Sequence, residues 1–273
     1  MKLVSINIPT FNSEKTIGDT LYRALDQSYQ NIEVIVMDSY SNDKTTTIAK
    51  NYGVKVVMCK GRLLEARIAG VNASNGEYVL FLDSDQILER TAIERAVEKI
   101  KDYDYLWLYE RSQNKGFIPS LYDADRILTQ KYLDEKVVCP RFFKKKMLLE
   151  AIKSIPKEHI HICGAQDHEV VFYEIKQLSK RMGGVENAVW HIEPDNLIKL
   201  FKKQYRWGKT TRDFYDTGVY RELITVKNRF RGFYFSHPIL SFKSFVLRVL
   251  RGIPYAAGFY FGVDNQRVSK VKK

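Results

Sequence analysis

Four short apolar runs, each followed by a polar turn and a helical pattern, set the rhythm of the first hundred residues. Leu3–Ile8, Ile32–Met37, Val54–Met58 and Tyr78–Leu82 have the length and composition of strands. Helices are predicted over Glu14–Ser28, from the turn Ser39–Asp43 through Lys50, over Leu63–Ala73 and over Thr91–Ile100. In the first of these Ile17, Leu21, Ala24 and Leu25 share one face, and Ser13 stands as its N-cap. Strands alternating with helices at this spacing form β-α-β units around a mostly parallel sheet, so the class is α/β.

The fourth run carries the chemistry. Tyr78–Leu82 is apolar without interruption, as expected of a strand buried on both faces, and it ends in Asp83-Ser84-Asp85. Ligands of open α/β sheets bind at the carboxyl ends of strands. An extended backbone sends residues i and i+2 to the same side, so the two carboxylates are expected to converge. They repel unless a cation lies near both. Mn²⁺ or Mg²⁺, bridging to phosphate oxygens, suits such hard ligands. For an isolated D-x-D the plain alternative is a solvated turn.

Beyond residue 100 the pattern changes. Tyr103, Tyr105, Trp107 and Tyr109 recur with period two, which predicts strands across 103–145 and either an acceptor platform or sheet packing. Lys144-Lys145-Lys146 opens a solvated helix. His159, His161 and Cys163 would share one strand face, a zinc-like set that lacks a partner pair elsewhere. From Leu197 the pattern is helical, through Leu200, Phe201, Tyr205 and Gly208. Residues 233–262 mix aromatics with Lys243, Arg248 and Arg251, and Pro238 and Pro254 are expected to divide them into short pieces. Segments of that kind suit a helix lying in a membrane interface.

Composition narrows the classes. With 273 residues, 45% apolar and 28% charged, the chain is globular, as one large domain or two small ones. Cys59, Cys139 and Cys163 are odd in number and scattered, which points to a reducing compartment. Met1-Lys2 runs straight into a strand pattern, so no secretory leader is expected, and no apolar stretch is long enough to span a membrane. Residues 197–273 hold 17 Lys and Arg against 4 Asp and Glu, a net of +13, while the rest of the chain sums to −1. That asymmetry points to an anionic membrane surface or a polyanion. No G-x-G-x-x-G follows the first strand, and Gly208-Lys209-Thr210 lacks a P-loop's first glycine because residue 203 is Lys203.

Four motifs in order carry a resemblance: Pro9-Thr10-Phe11-Asn12, then Asp38-Ser39-Tyr40-Ser41-Asn42-Asp43, then Ser74-Asn75-Gly76-Glu77, then Asp83-Ser84-Asp85. Together they resemble family 2 glycosyltransferases of the GT-A fold, among them the polyprenol- and dolichol-phosphate mannosyltransferases. A typical member has Asp-Asp-Gly-Ser where this chain has Asp38-Ser39-Tyr40-Ser41. The resemblance implies a GT-A catalytic domain over 1–196, with a nucleotide-binding half to residue 100 and an acceptor half beyond it. A basic, amphipathic helical membrane-associating extension follows over 197–273. Pro9, Thr10, Phe11 and Asn12 would wall the nucleoside, Glu14 would reach the ribose, and Asp38 with Ser39 would meet the base. Arg62 and Arg67 would lie over the donor, Asp83 and Ser84 near ribose and sugar, and Arg206 and Trp207 near the diphosphate. Asp85, His191 and Asp83 would hold Mn²⁺ or Mg²⁺. Gln166-Asp167 stands where members carry an acidic pair opening a helix, so Asp167 would be the general base.

The implied activity is inverting transfer from a nucleotide-diphosphate sugar, GDP-mannose by preference or a UDP-sugar, to a lipid-linked or polyprenol acceptor. The place would be the cytoplasmic face of the cell membrane, peripherally. Two rivals remain. A basic nucleic-acid-binding protein would explain the tail but not Asp83-Ser84-Asp85, so no nucleic-acid partner is expected. A catalytically inactive sugar-nucleotide-binding relative would keep the motifs and lose the transfer.

Overall fold

Residues 1–132, 140–224 and 235–262 are described by the computed structural model. The first half alternates as the sequence pattern requires: β1 (Val4–Thr10), α1 (Ile17–Leu25), β2 (Ile32–Asp38), α2 (Thr45–Asn51), β3 (Lys55–Met58), α3 (Leu63–Ala73) and β4 (Tyr78–Phe81). There follow β5 (Gln86–Leu88), α4 (Ala92–Lys99), β6 (Tyr105–Ser112), α5 (Phe117–Lys131), β7 (Phe142–Lys144), α6 (Lys145–Ser154), α7 (Lys157–Ile160), α8 (Asp167–Leu178), β8 (Met182–His191), α9 (Leu197–Tyr215) and α10 (Pro238–Phe261).

One sheet in the order β3-β2-β1-β4-β7-β6-β8-β5 runs through the molecule. Its first four strands are parallel; β7 pairs antiparallel with both β4 and β6, and β5 pairs antiparallel with β8. Alternation along β4 divides the core in two. Tyr78 and Leu80 join Ile17, Leu21 and Ala96 on one face, while Val79 and Phe81 join Leu64, Leu148 and Val170 on the other. Because both faces are covered, β4 carries no polar residue until the sheet ends.

Several expectations are corrected. Across 103–145 the aromatic alternation holds only for β6, where Tyr105 and Trp107 are buried, so they pack the sheet and offer no platform. The segment after it is the helix α5, because Ile118, Leu121, Tyr122 and Leu128 recur at helical spacing and bury one face. Ser13 does not cap α1: Thr16 holds that place without a side-chain bond, and Leu25 is exposed. His159 to Cys163 is no strand, since Pro156 starts a single helical turn. His159 is therefore buried against Phe214 and Tyr220, while His161 is exposed and meets Glu65 at 2.8 Å, and the zinc-like set is not assembled. Cys59 and Cys163 are free and buried; Cys139 and the lysine-rich end lie outside the described residues.

The C-terminal region differs most. Pro238 and Pro254 lie within one 24-residue helix, Pro238 at its first turn and Pro254 in its interior. An interior proline costs roughly 3 kcal/mol, which packing of α10 against α5 and α9 offsets. The crossing of α9 and α10 is closed by glycines: a Cβ on Gly208 would lie 1.9 Å from the Tyr255 carbonyl, and one on Gly258 2.0 Å from that of Tyr205. No helix among the described residues is long and apolar enough to cross a membrane.

Candidate active site

The parallel pairing of β1 with β2 sets Thr10 beside Asp38 at the carboxyl end of the sheet. The loops that follow are fastened to each other. Asn12 N donates to Ser41 Oγ at 2.8 Å, Asn42 N to Asn12 Oδ1 at 3.0 Å, and Ser13 N to Thr45 Oγ at 2.7 Å. Asn12 and Tyr40 adopt φ of +52° and +59°, the left-handed turns that let the loops meet. Asp38 is fully buried; its carboxylate accepts from Thr10 Oγ1 at 3.0 Å and from Ser41 Oγ and N at 2.6 and 2.8 Å. Glu14 accepts from Lys44 N at 3.1 Å, so its carboxylate serves the loop. Phe11 stands exposed above this floor, and Ser39 N bonds the Thr10 carbonyl at 2.9 Å.

The two carboxylates after β4 take different partners. The strand ends at Phe81 and the chain turns at Ser84-Asp85, so strand alternation no longer governs residues 83 and 85. Asp83 faces Arg67 Nη2 at 2.6 Å and Arg141 Nη1 at 3.1 Å. Asp85 faces His191 Nε2 at 3.0 Å and Lys203 Nζ at 3.6 Å. Ser84 Oγ meets Ser13 Oγ at 2.8 Å and ties the turn to the nucleotide-side loop. No three acidic, His or Cys side chains among the described residues gather as a metal cluster. Of the expected set Asp83, Asp85 and His191, the structure brings Asp85 and His191 together and turns Asp83 to Arg67 and Arg141.

These contacts extend into a string of alternating charge. Arg67 bonds Asp167 through Nε and Asp83 through Nη2; Arg141 joins Asp83 to Glu110 at 2.6 Å. Arg126 joins Glu110, at 3.4 Å, to Glu193; Glu193 Oε1 lies 2.9 Å from His191 Nδ1. Burial opposes charge on each acid, yet Arg141 and Arg67 hold Asp83 well below the usual carboxylate range, and Arg141 and Arg126 lower Glu110. Burial likewise opposes charge on the ring of His191, but Asp85 and Glu193 push it up to about 9, so it is protonated at neutral pH. Burial, aided by Arg67, keeps His168 low and therefore neutral.

Asp167 opens α8 in its first turn and is buried, where the helix N-terminus favours an anion. Arg67 does not present itself over a donor; it is fully buried and links Asp167 to Asp83. Arg62 is likewise turned inward, to the Ile162 carbonyl and to Asp213, both at 2.7 Å. On α9 the expected Arg206 is exposed, whereas Lys203 and Trp207, one turn apart, pair with each other at 5.3 Å from ammonium to ring. Lys203 rather than Arg206 reaches the Asp85 carboxylate. Sequence reasoning missed Lys203, Arg141, Glu110, Arg126, Glu193 and His168. The signal available for Lys203 was its i, i+4 spacing from Trp207.

Removing Arg67 leaves Asp167 buried without its cation and Asp83 with Arg141 alone. Arg67→Met keeps most of the volume and is expected to cost about 3–5 kcal/mol in urea unfolding at neutral pH. Asp83 has a depressed folded pKa, so its contribution is present above the unfolded value and fades as pH falls towards the folded one. The gap between wild type and variant should therefore narrow below about pH 4.

A parallel sheet with carboxylates after β4, continued by a mixed half carrying β7, β6, β8 and β5, has the architecture of the GT-A fold. The profile of Glycosyl transferase family 2 matches residues 5–155, more than half of the chain, and the protein belongs to that family. Glycosyltransferase GlyG of Streptococcus pneumoniae serotype 4 is 24% identical over 246 residues, covering 82% of this chain and 78% of that protein. The Escherichia coli UDP-Glc:α-D-GlcNAc-diphosphoundecaprenol β-1,3-glucosyltransferase WfaP is 37% identical over 103 residues, 36% of this chain and 41% of its own. Glucosyl-3-phosphoglycerate synthase from Mycobacterium tuberculosis, solved with Mn²⁺, UDP and glucosyl-3-phosphoglycerate, shares the fold. Its TM-score is 0.55 at 19% identity, over 81% of this chain and 80% of that one.

Proposed function

We propose that this glycosyltransferase moves a sugar, with inversion, from a nucleotide-diphosphate sugar to a hydroxyl of a lipid-linked acceptor at the cytoplasmic membrane face. The observation that carries the reading is the joining of Asp83 to Asp167 through Arg67, beside the Asp85–His191 pair, at one end of the sheet. The nucleoside would lie against Pro9 to Asn12 and Asp38-Ser39. Lys203 and Trp207 would face the diphosphate. The acceptor oxygen attacks the anomeric carbon as the bond to diphosphate breaks, and the diphosphate leaves with the electron pair. Asp167 takes the proton that the acceptor hydroxyl loses.

The residues fit a divalent cation. Asp85 would supply a carboxylate oxygen and His191, on giving up its Nε2 proton to make room for the cation, an imidazole nitrogen, with Glu193 behind the ring at Nδ1, the partner that orients an imidazole ligand. Glu193 Oε2 is buried without a partner, which supports a site built around charge. Mn²⁺ or Mg²⁺ held by Asp85 and His191 would offset the charge growing on the departing diphosphate.

A uridine donor is supported by the UDP-glucose of WfaP and the UDP bound to the mycobacterial synthase. GDP-mannose, favoured by resemblance, is the second reading. The lipid-linked acceptor is supported by the diphosphoundecaprenol of WfaP and by the net +13 of residues 197–273.

A thermal-shift panel of UDP-glucose, UDP-N-acetylglucosamine and GDP-mannose, with and without Mn²⁺, tests this. Ligand at 100 times its dissociation constant stabilises by about 2.7 kcal/mol. A UDP-sugar should raise the melting temperature most, and more with Mn²⁺. No shift with any nucleotide sugar, together with salt-sensitive retardation of RNA or DNA in a gel, would overturn it.

A further inference from the structure

Among the described residues, the outer face of α10 is left exposed. Ile239, Phe242, Phe245, Val249, Ile253 and Tyr260 follow one another at three-, four- and seven-residue steps, so they form one stripe along the helix. Each is between 38% and 72% exposed. The opposite face, with Ser241, Ser244, Leu247, Pro254 and Gly258, is buried against the domain. The stripe is therefore not misplaced core, and from Ile239 to Tyr260 it runs for roughly 32 Å. Soluble monomers rarely expose continuous apolar surface on that scale.

The neighbouring helix adds charge. Along α9, Ile198, Phe201 and Tyr205 are exposed together with Lys202 and Arg206. The same helix sends Lys203 to Asp85, so this surface borders the proposed active site. Apolar stripe and basic flank together match a bilayer surface bearing anionic headgroups, with the helix in the plane of the interface. A second copy fits less well. A two-fold contact through α10 would bring two regions of net +13 together.

We infer that α10 seats this enzyme on an anionic bilayer, its apolar stripe among the acyl-chain boundaries and Lys202 and Arg206 of α9 at the headgroups. The inference rests on the reading of a membrane-located acceptor and names the surface that reaches it.

The test uses the full chain, phosphatidylcholine vesicles with and without phosphatidylglycerol, and no donor or acceptor. Failure here thus leaves nucleotide-sugar binding untouched, and failure there leaves vesicle binding untouched. The wild type should co-sediment with the phosphatidylglycerol vesicles, and raising salt from roughly 0.1 to 1 M should weaken binding without abolishing it. The triple variant Phe242→Glu, Phe245→Glu, Ile253→Glu should lose about tenfold or more in vesicle affinity while keeping its melting temperature, since all three side chains are exposed. Lys202→Gln with Arg206→Gln should cost about fivefold per residue, only where phosphatidylglycerol is present. Equal binding by the triple variant, or no wild-type binding to either vesicle, overturns the inference. A wild-type dimer in light scattering that the triple variant converts to monomer would assign the stripe to a second copy and overturn it as well.

Discussion

Asp167→Asn is expected to lower the rate of glycosyl transfer by about 10²–10⁴-fold, the loss typical of a missing general base. The substitution keeps the size and planar shape of the side chain and its place in the first turn of α8. Its amide oxygen still accepts from Arg67, so Asp83 and the donor side keep their geometry. Donor affinity, measured by calorimetry, should therefore change little while turnover collapses. His168 supplies the control. It is neutral, lies 2.7 Å from Arg67 and 3.1 Å from Arg141 through Nε2, and has a buried Nδ1 without a partner. If Asp167→Asn retains near-full transfer and His168→Gln does not, the proton goes to the imidazole and Asp167 reverts to a helix-opening acid.

What the sequence made legible follows from the range of the interactions involved. The apolar run of β4 and the limits of α3, Leu63–Ala73, depend on local pattern and stand as expected. The nearness of Asp85 and His191 was legible only through the family resemblance, and the structure produces it by pairing Gln86 of β5 with His191 of β8. The companions of those residues were not. Arg141, Glu110 and Arg126 lie on different elements and meet only because β7 and β6 run antiparallel beside β4. Arg67 is the sharpest case. From its spacing it could as well face solvent, and its burial is stabilised by acids 16 and 100 positions away. α10 failed for a related reason. Local rules end a helix at Pro254, but the Gly208–Gly258 contact with α9 holds it intact.

Asp85→Ala is expected to abolish the Mn²⁺-dependent part of donor binding, a loss of at least about 100-fold if Asp85 ligates the cation directly. That bound comes from the 10–100-fold that outer-shell partners alone contribute in metal sites. Glu193→Gln makes the comparison internal, because Glu193 touches His191 and not the donor, and it should fall within that smaller range. Fold stability separates the two roles of the carboxylate. Without Asp85, His191 and Lys203 lose their shared anion, so the apo-protein should melt somewhat lower, whereas a purely structural Asp85 would leave the Mn²⁺ dependence of UDP affinity intact. Titrating UDP in Mn²⁺ and in EDTA for wild type and both variants resolves these contributions. Wild-type affinity that is the same in Mn²⁺ and EDTA would remove the cation from the site and leave Lys203 as the group facing the diphosphate. Affinity that falls in EDTA for the wild type but not for Asp85→Ala would place the cation at that carboxylate.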